Sequence, residues 1–146
     1  MRLGICTSIA GLAEAARLAA DIAARHNMTI VMEPLLKRAC SFFNRVDQGA
    51  AFVDRVGHPR LRLLVDMFHM DREQEPFADV VAAGKRLAYI YLATPSIPET
   101  AEGLAYDFTG FFAALRQAGY NDRVSVEDNP GLLAKSKLPR VDAYLV

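Results

Sequence analysis

The chain has 146 residues, enough for one ordinary domain with a real core, and is 52% hydrophobic and 23% charged, which excludes a disordered chain. Lys+Arg and Asp+Glu are both 17, and this zero net charge argues against nucleic acid, whose binders carry a basic excess. No apolar run approaches the ~20 residues of a membrane span, and two cysteines, Cys6 and Cys40, are too few for a disulfide framework and lack zinc-site spacing, so a cytoplasmic protein with reduced thiols is expected.

In chain order, Leu3–Cys6 is a short strand candidate. The alanine- and leucine-rich stretch Ile9–Arg25 reads as a helix with Leu12, Ala15, Ala16, Ala19, Ile22 and Ala23 on its inner face, and His26-Asn27 ends it. Thr29–Glu33 reads as a strand stopped by Pro34. Residues 35–44 form a loop, and Asp47–Val56 a helix with Phe52, Val53 and Val56 inward. A break at Gly57-His58-Pro59 precedes the strand Leu63–Asp66, which runs into Met67–Met70 and a charged loop, Asp71–Glu75.

Phe77–Ala83 is a short helix ended by Gly84. The next strand starts at Leu87 and reaches about Ala93. A long loop from Thr94 to Tyr106 follows, of a length often tied to function. Asp107 is placed to cap a helix whose Phe108, Phe111, Phe112 and Leu115 share a core face, and Gly119 ends it. Val124–Glu127 is the last clear strand before a Gly/Pro-punctuated tail. Strands alternating with helices predict an α/β fold with a parallel sheet.

Three of these strands close on a carboxylate, Glu33, Asp66 and Glu127, and the fourth carries Tyr91 near its end. They stand roughly 25 to 36 residues apart, matching the ~30-residue βαβ unit. The carboxyl ends of parallel strands are where ligands bind, so the three acids are expected to converge. Acids brought together repel, and a divalent cation is the natural counter-charge. Taken singly, each acid could equally cap a helix or anchor a loop. Two architectures fit at this level: an open doubly wound sheet of five strands, or part of a (β/α)8 barrel, which needs about 250 residues.

Glu33-Pro34-Leu35, Asn44, the run Val65-Asp66-Met67-Phe68-His69-Met70, Gly119-Tyr120 and Val124–Glu127 together resemble the sugar isomerase/epimerase family of xylose-isomerase-like TIM barrels, in particular its D-tagatose 3-epimerase and ketose 3-epimerase type. The resemblance covers about residues 20 to 130 and corresponds to the C-terminal half of a family barrel. It implies a partial barrel of about four to five strands filling residues 1–146 as a single half-barrel domain.

It also implies a site. Glu33, Asp66 and Glu127 match three ligands of a divalent metal, manganese or magnesium. Glu33 and Glu127 match the catalytic acid/base pair, and His69 matches a residue that hydrogen-bonds the sugar beside the reacting carbon. The implied activity is proton transfer next to the carbonyl of a ketose, with no nucleic acid and no membrane as partner. The chain departs from the pattern at three places: Tyr91 stands where the family has its histidine ligand, Ala39 where it often has a glutamate, and Ile97 where it often has an arginine. A neutral tyrosine is a poor ligand for a divalent cation.

These departures define the alternative, a catalytically inactive or truncated relative acting as a binding or structural domain. An endonuclease of the same fold is disfavoured by the neutral charge and the lack of a histidine cluster, and a flavodoxin-like domain leaves the Asp66–Met70 run unexplained. Half a barrel leaves edges and helix faces uncovered, so a homodimer completing a barrel is expected.

Overall fold

The computed structural model describes residues 9–93 and 107–127. The strand expected at Leu3–Cys6, the loop expected from Thr94 to Tyr106 (with Ile97) and the tail after Glu127 lie outside the described residues.

Helix α1 spans Ile9–Arg25, and Asn27 turns the chain with φ 53°. Strand β1 is Ile30–Met32, followed by α2, Val46–Val56, and β2, Leu61–Asp66. A short helix α3, Met67–Arg72, leads to α4, Ala78–Ala83, and a 3-10 turn at Gly84–Arg86. Strand β3 is Leu87–Ala93, α5 is Phe108–Gln117, and β4 is Val124–Glu127.

The four strands are parallel and adjacent in chain order, β1-β2-β3-β4. This order decides between the two architectures. A doubly wound sheet reverses direction at a switch point, whereas a barrel adds each strand beside the last. Right-handed crossovers that always step the same way put every helix on one face of the sheet, as on the outside of a barrel. The described sheet is therefore an arc of a (β/α) barrel.

The core lies between sheet and helices. Leu63, Val65, Ile90 and Leu92 of the sheet are buried with Val46, Phe52 and Val56 of α2, Val80 of α4, and Phe111 and Leu115 of α5. Phe77 meets Phe111 edge-on, with ring centres 5.6 Å apart. At Gly49, on the inner face of α2, an added Cβ would sit 2.8 Å from both Leu63 Cδ1 and Pro34 Cγ. The missing side chain lets α2 lie close on the strand end that precedes the site. Gly57, at φ 62°, takes the left-handed conformation that closes α2, its amide reaching back to Val53.

Two local expectations are corrected. On α1 the residues packed against the core are Leu12, Ala13, Ala16, Ala20 and Ala23, whereas Ala15 and Ile22 are exposed. Apolar residues surround that helix on nearly every side, so hydropathy singled out no face. Met67–Met70, given no element from sequence, forms one helix with Asp71 and Arg72, the start of the expected charged loop: Asp66 caps it by accepting from the Phe68 amide at 2.9 Å, and Met67 and Met70 anchor it in the core.

Candidate active site

Side chains alternate across a strand, and residues in parallel register share a face. Val31 pairs with Arg62, Asp66 with Tyr91, and Tyr91 with Ser125. Counting by twos from these pairs puts Glu33, Asp66, Tyr91 and Glu127 on one face, opposite the helices, together with Tyr89. On a barrel this is the interior face at the carboxyl rim.

Each residue is placed by a different device. Glu33 follows the last residue of β1 and precedes the buried Pro34. Asp66 ends β2, is 2% exposed, and has one oxygen committed to the cap of α3. His69 sits one turn into α3, so the same cap that starts the helix swings the imidazole back over the strand ends. Its Nε2 lies 3.8 Å from Glu33 Oε1 and 3.9 Å from Asp66 Oδ2, while its Nδ1 accepts from the Leu36 amide at 3.4 Å. The Phe68 ring packs beside it, centre to centre 5.2 Å, and the Arg72 guanidinium covers that ring.

Tyr91 lies two residues inside the end of β3, flanked by Tyr89 at a ring distance of 5.2 Å, and Tyr89 shares a 2.8 Å hydrogen bond with Ser125. Glu127 ends β4, is exposed, and is in register with Ala93, one layer further out than Tyr91.

The electrostatics follow from this crowding. Burial, then the charges of Asp66 and Glu127, push the Glu33 carboxyl up from 4.5 to about 7. Burial also raises the Tyr91 phenol, helped by Tyr89, Glu127, Glu33 and Asp66, so it stays a neutral hydroxyl at physiological pH. The His69 imidazole is lowered by burial, with Glu127 pulling the other way.

One ligand atom each from Glu33, Asp66 and His69 fall within 4.8 Å of one another. The carboxylates fit a hard divalent cation, which accepts oxygen ligands and would relieve the repulsion that raises Glu33. Glu127 lies outside that trio and acts on it through its charge. Tyr91 brings a protonated oxygen to the level of Asp66, and no nitrogen.

Two residues were missed from sequence. Glu73, on the turn after His69, accepts from the Lys37 amide at 2.8 Å and pairs with Lys37 Nζ at 3.0 Å. Its spacing from His69 would have marked it, had α3 been recognised as a helix. Glu75 is 8% exposed and accepts from the Val46 amide at the start of α2, at 2.7 Å. Burial pushes its carboxyl to about 7. In a charged stretch it reads as an ordinary surface acid, and no sequence signal set it apart.

A singly wound parallel arc with acids gathered at its carboxyl rim is the layout of a TIM barrel, whose ligands bind at that rim. The chain belongs to the xylose isomerase-like TIM barrel family, which it matches over residues 4–142. It is 32% identical over 120 residues to an L-ribulose 3-epimerase of Methylomonas sp. (strain DH-1), covering 82% of this chain and 42% of that protein. It is 30% identical over 110 residues to an L-ribulose 3-epimerase of Mesorhizobium japonicum, covering 74% of this chain and 36% of the relative. Among solved structures, D-allulose 3-epimerase from Methylomonas sp. in complex with D-allulose superposes with a TM-score of 0.74 at 30% identity, over 86% of this chain and 44% of that one. The chain thus spans less than half the length of these relatives. No helix among the described residues is long and apolar enough to cross a membrane.

Proposed function

We propose that this chain carries the metal-binding, proton-transferring half of a sugar isomerase/epimerase acting on a ketose. The observation that carries the reading is the meeting of His69, on α3, with Glu33 and Asp66 at neighbouring strand ends.

The chemistry is a proton removed and returned. Glu33 or Glu127 takes the proton from the carbon beside the substrate carbonyl, and the electron pair moves into the carbonyl as an enediolate. The other glutamate returns a proton to the opposite side of that carbon. His69 holds a substrate oxygen next to the reacting carbon. Glu33, Asp66 and Glu127 would hold a manganese or magnesium ion, which supplies positive charge opposite the oxyanion. Asp66 is also fixed by its cap to α3, so its position costs little to maintain during the reaction.

A second copy of the chain, forming a homodimer, would supply the remaining strands of the barrel. The strength of the metal site depends on Tyr91. Its neutral phenol favours a second reading, an inactive relative whose fold persists as a binding or structural domain. Calorimetric titration with manganese, run beside an assay of C3 epimerisation of D-allulose and L-ribulose, separates the two. Manganese binding with turnover supports the enzyme. No binding at millimolar manganese removes the metal site, and activity restored only in Tyr91→His assigns the natural chain to the inactive class.

A further inference from the structure

Two consecutive backbone amides after β1 are held by two side chains four residues apart, His69 on α3 and Glu73 just past its end. The Leu36 amide donates to His69 Nδ1 at 3.4 Å, and the Lys37 amide donates to Glu73 Oε1 at 2.8 Å. The Lys37 ammonium closes on the other Glu73 oxygen at 3.0 Å. The Glu73 side chain is 10% exposed, so this clasp is sheltered on the acidic side. It ties the segment carrying Glu33 to the helix carrying His69.

The direction of the Leu36 bond has a chemical consequence. A neutral imidazole has one N–H and one bare nitrogen. An amide N–H pointing at Nδ1 requires Nδ1 to be bare, which puts the hydrogen on Nε2. Nε2 is the atom facing Glu33 and Asp66, at 3.8 and 3.9 Å, beyond hydrogen-bond reach of either. Histidines that ligate metals do the reverse: the far nitrogen donates its N–H to a carboxylate or carbonyl, leaving the near nitrogen bare. The orientation here makes His69 a donor into the space between the carboxylates, although its distances alone would suit a ligand.

We infer that Glu73 is a positioning residue: by holding the Lys37 amide it keeps Leu36 against His69 and locks the imidazole as the Nε2–H tautomer, a hydrogen-bond donor rather than a metal ligand. The donor's use toward a sugar oxygen rests on the proposed function. The tautomer and its dependence on Glu73 do not.

The test is nitrogen-15 NMR of the imidazole side chains of the full chain at neutral pH, without sugar and with or without added magnesium, assigned with a His69→Gln control. The wild type is expected to show His69 with a bare Nδ1 and a protonated Nε2, unchanged by magnesium. Glu73→Ala is expected to lower the ratio of the two neutral tautomers by about fivefold, the size of one net hydrogen bond. Glu73→Gln keeps an oxygen for the Lys37 amide, and Lys37→Ala keeps the amide itself; both should retain the wild-type tautomer. A wild-type His69 protonated at Nδ1, or one that loses the Nε2 proton to magnesium, overturns the inference. So does a folded Glu73→Ala with an unchanged tautomer ratio. If that variant does not fold, Glu73→Met fills the same space without a strong acceptor and is read by the same criterion. Loss of epimerase activity with an intact tautomer pattern would count against the proposed function and leave this inference standing.

Discussion

Asp66 and Tyr91 are register partners across β2 and β3, so the buried cap of α3 and the Tyr91 phenol lie side by side on the interior face. The phenol stays protonated there because burial and the surrounding acids disfavour its ionised form. A nitrogen at this point would face the same acids and gain a cation as shared partner. Tyr91→His is therefore expected to raise manganese affinity by at least about tenfold, roughly 1.4 kcal/mol. Calorimetry checks it; equal affinity in both proteins would show that Tyr91 is not at the metal.

Asp66 serves the fold as well as the site. Asp66→Ala removes the cap of α3 and is expected to lower stability by about 1 kcal/mol in urea unfolding. Asp66→Asn keeps a capping oxygen but loses the charge. It should unfold near the wild-type midpoint while binding manganese more weakly; weakening of both together would mean that the cap needs the charge.

Glu75 gives the chain a pH-dependent stability. It takes up its proton at about 7 when folded, against an ordinary 4.5. Between those values the folded chain holds more protons than the unfolded one, so stability falls as pH rises. The contribution is fully present below about 4.5 and lost above about 7, and it amounts to on the order of 3 kcal/mol. Glu33 is raised to the same value and acts in the same direction. Glu75→Gln retains an acceptor for the Val46 amide and should flatten the decline by roughly half, measured by urea midpoints across that window. An undiminished slope would assign the whole effect to other groups.

The closeness of α2 to β2 depends on Gly49. Gly49→Val would press a branched side chain into Leu63 and Pro34 and is expected to cost about 1–3 kcal/mol. Because Pro34 follows Glu33, metal affinity should fall with it. A stable variant with full affinity would show that the strand end tolerates displacement.

How much of this was legible before the structure depended on the length of each signal. Strands β3 and β4 were bounded correctly from their apolar runs, and Asp107 caps α5 by accepting from the Gly110 amide as its position suggested. The expected core face of α5 is buried at Phe111, Phe112 and Leu115. The family resemblance gave the half-barrel, which strand order supports independently. Helix α3 escaped because six residues show no period, and its first turn is set by a cap whose acid also reads as a site residue. The inner face of α1 escaped because alanine packs as well as leucine where a helix approaches closely. The burial of Glu75 and the direction of the bond to His69 are tertiary facts, fixed only when segments about 30 residues apart meet.

Closure of the barrel is open to a direct physical test. Leu18 and Ile22 on α1 are exposed apolar residues that the proposed homodimer would cover. Sedimentation at low micromolar concentration should show a dimer, and Leu18→Glu should weaken it. A monodisperse, well-folded monomer would contradict the homodimer.

The central claim is that Glu33 moves a proton at the carbon beside a ketose carbonyl. Incubating the chain with manganese and D-allulose in deuterium oxide, and following deuterium at carbon 3 by NMR, tests it most directly. The account predicts deuterium entry above the rate in buffer, abolished in Glu33→Gln, with Glu33 and Glu127 on opposite sides of the carbon. No exchange by the natural chain, under conditions where manganese is bound, would contradict it.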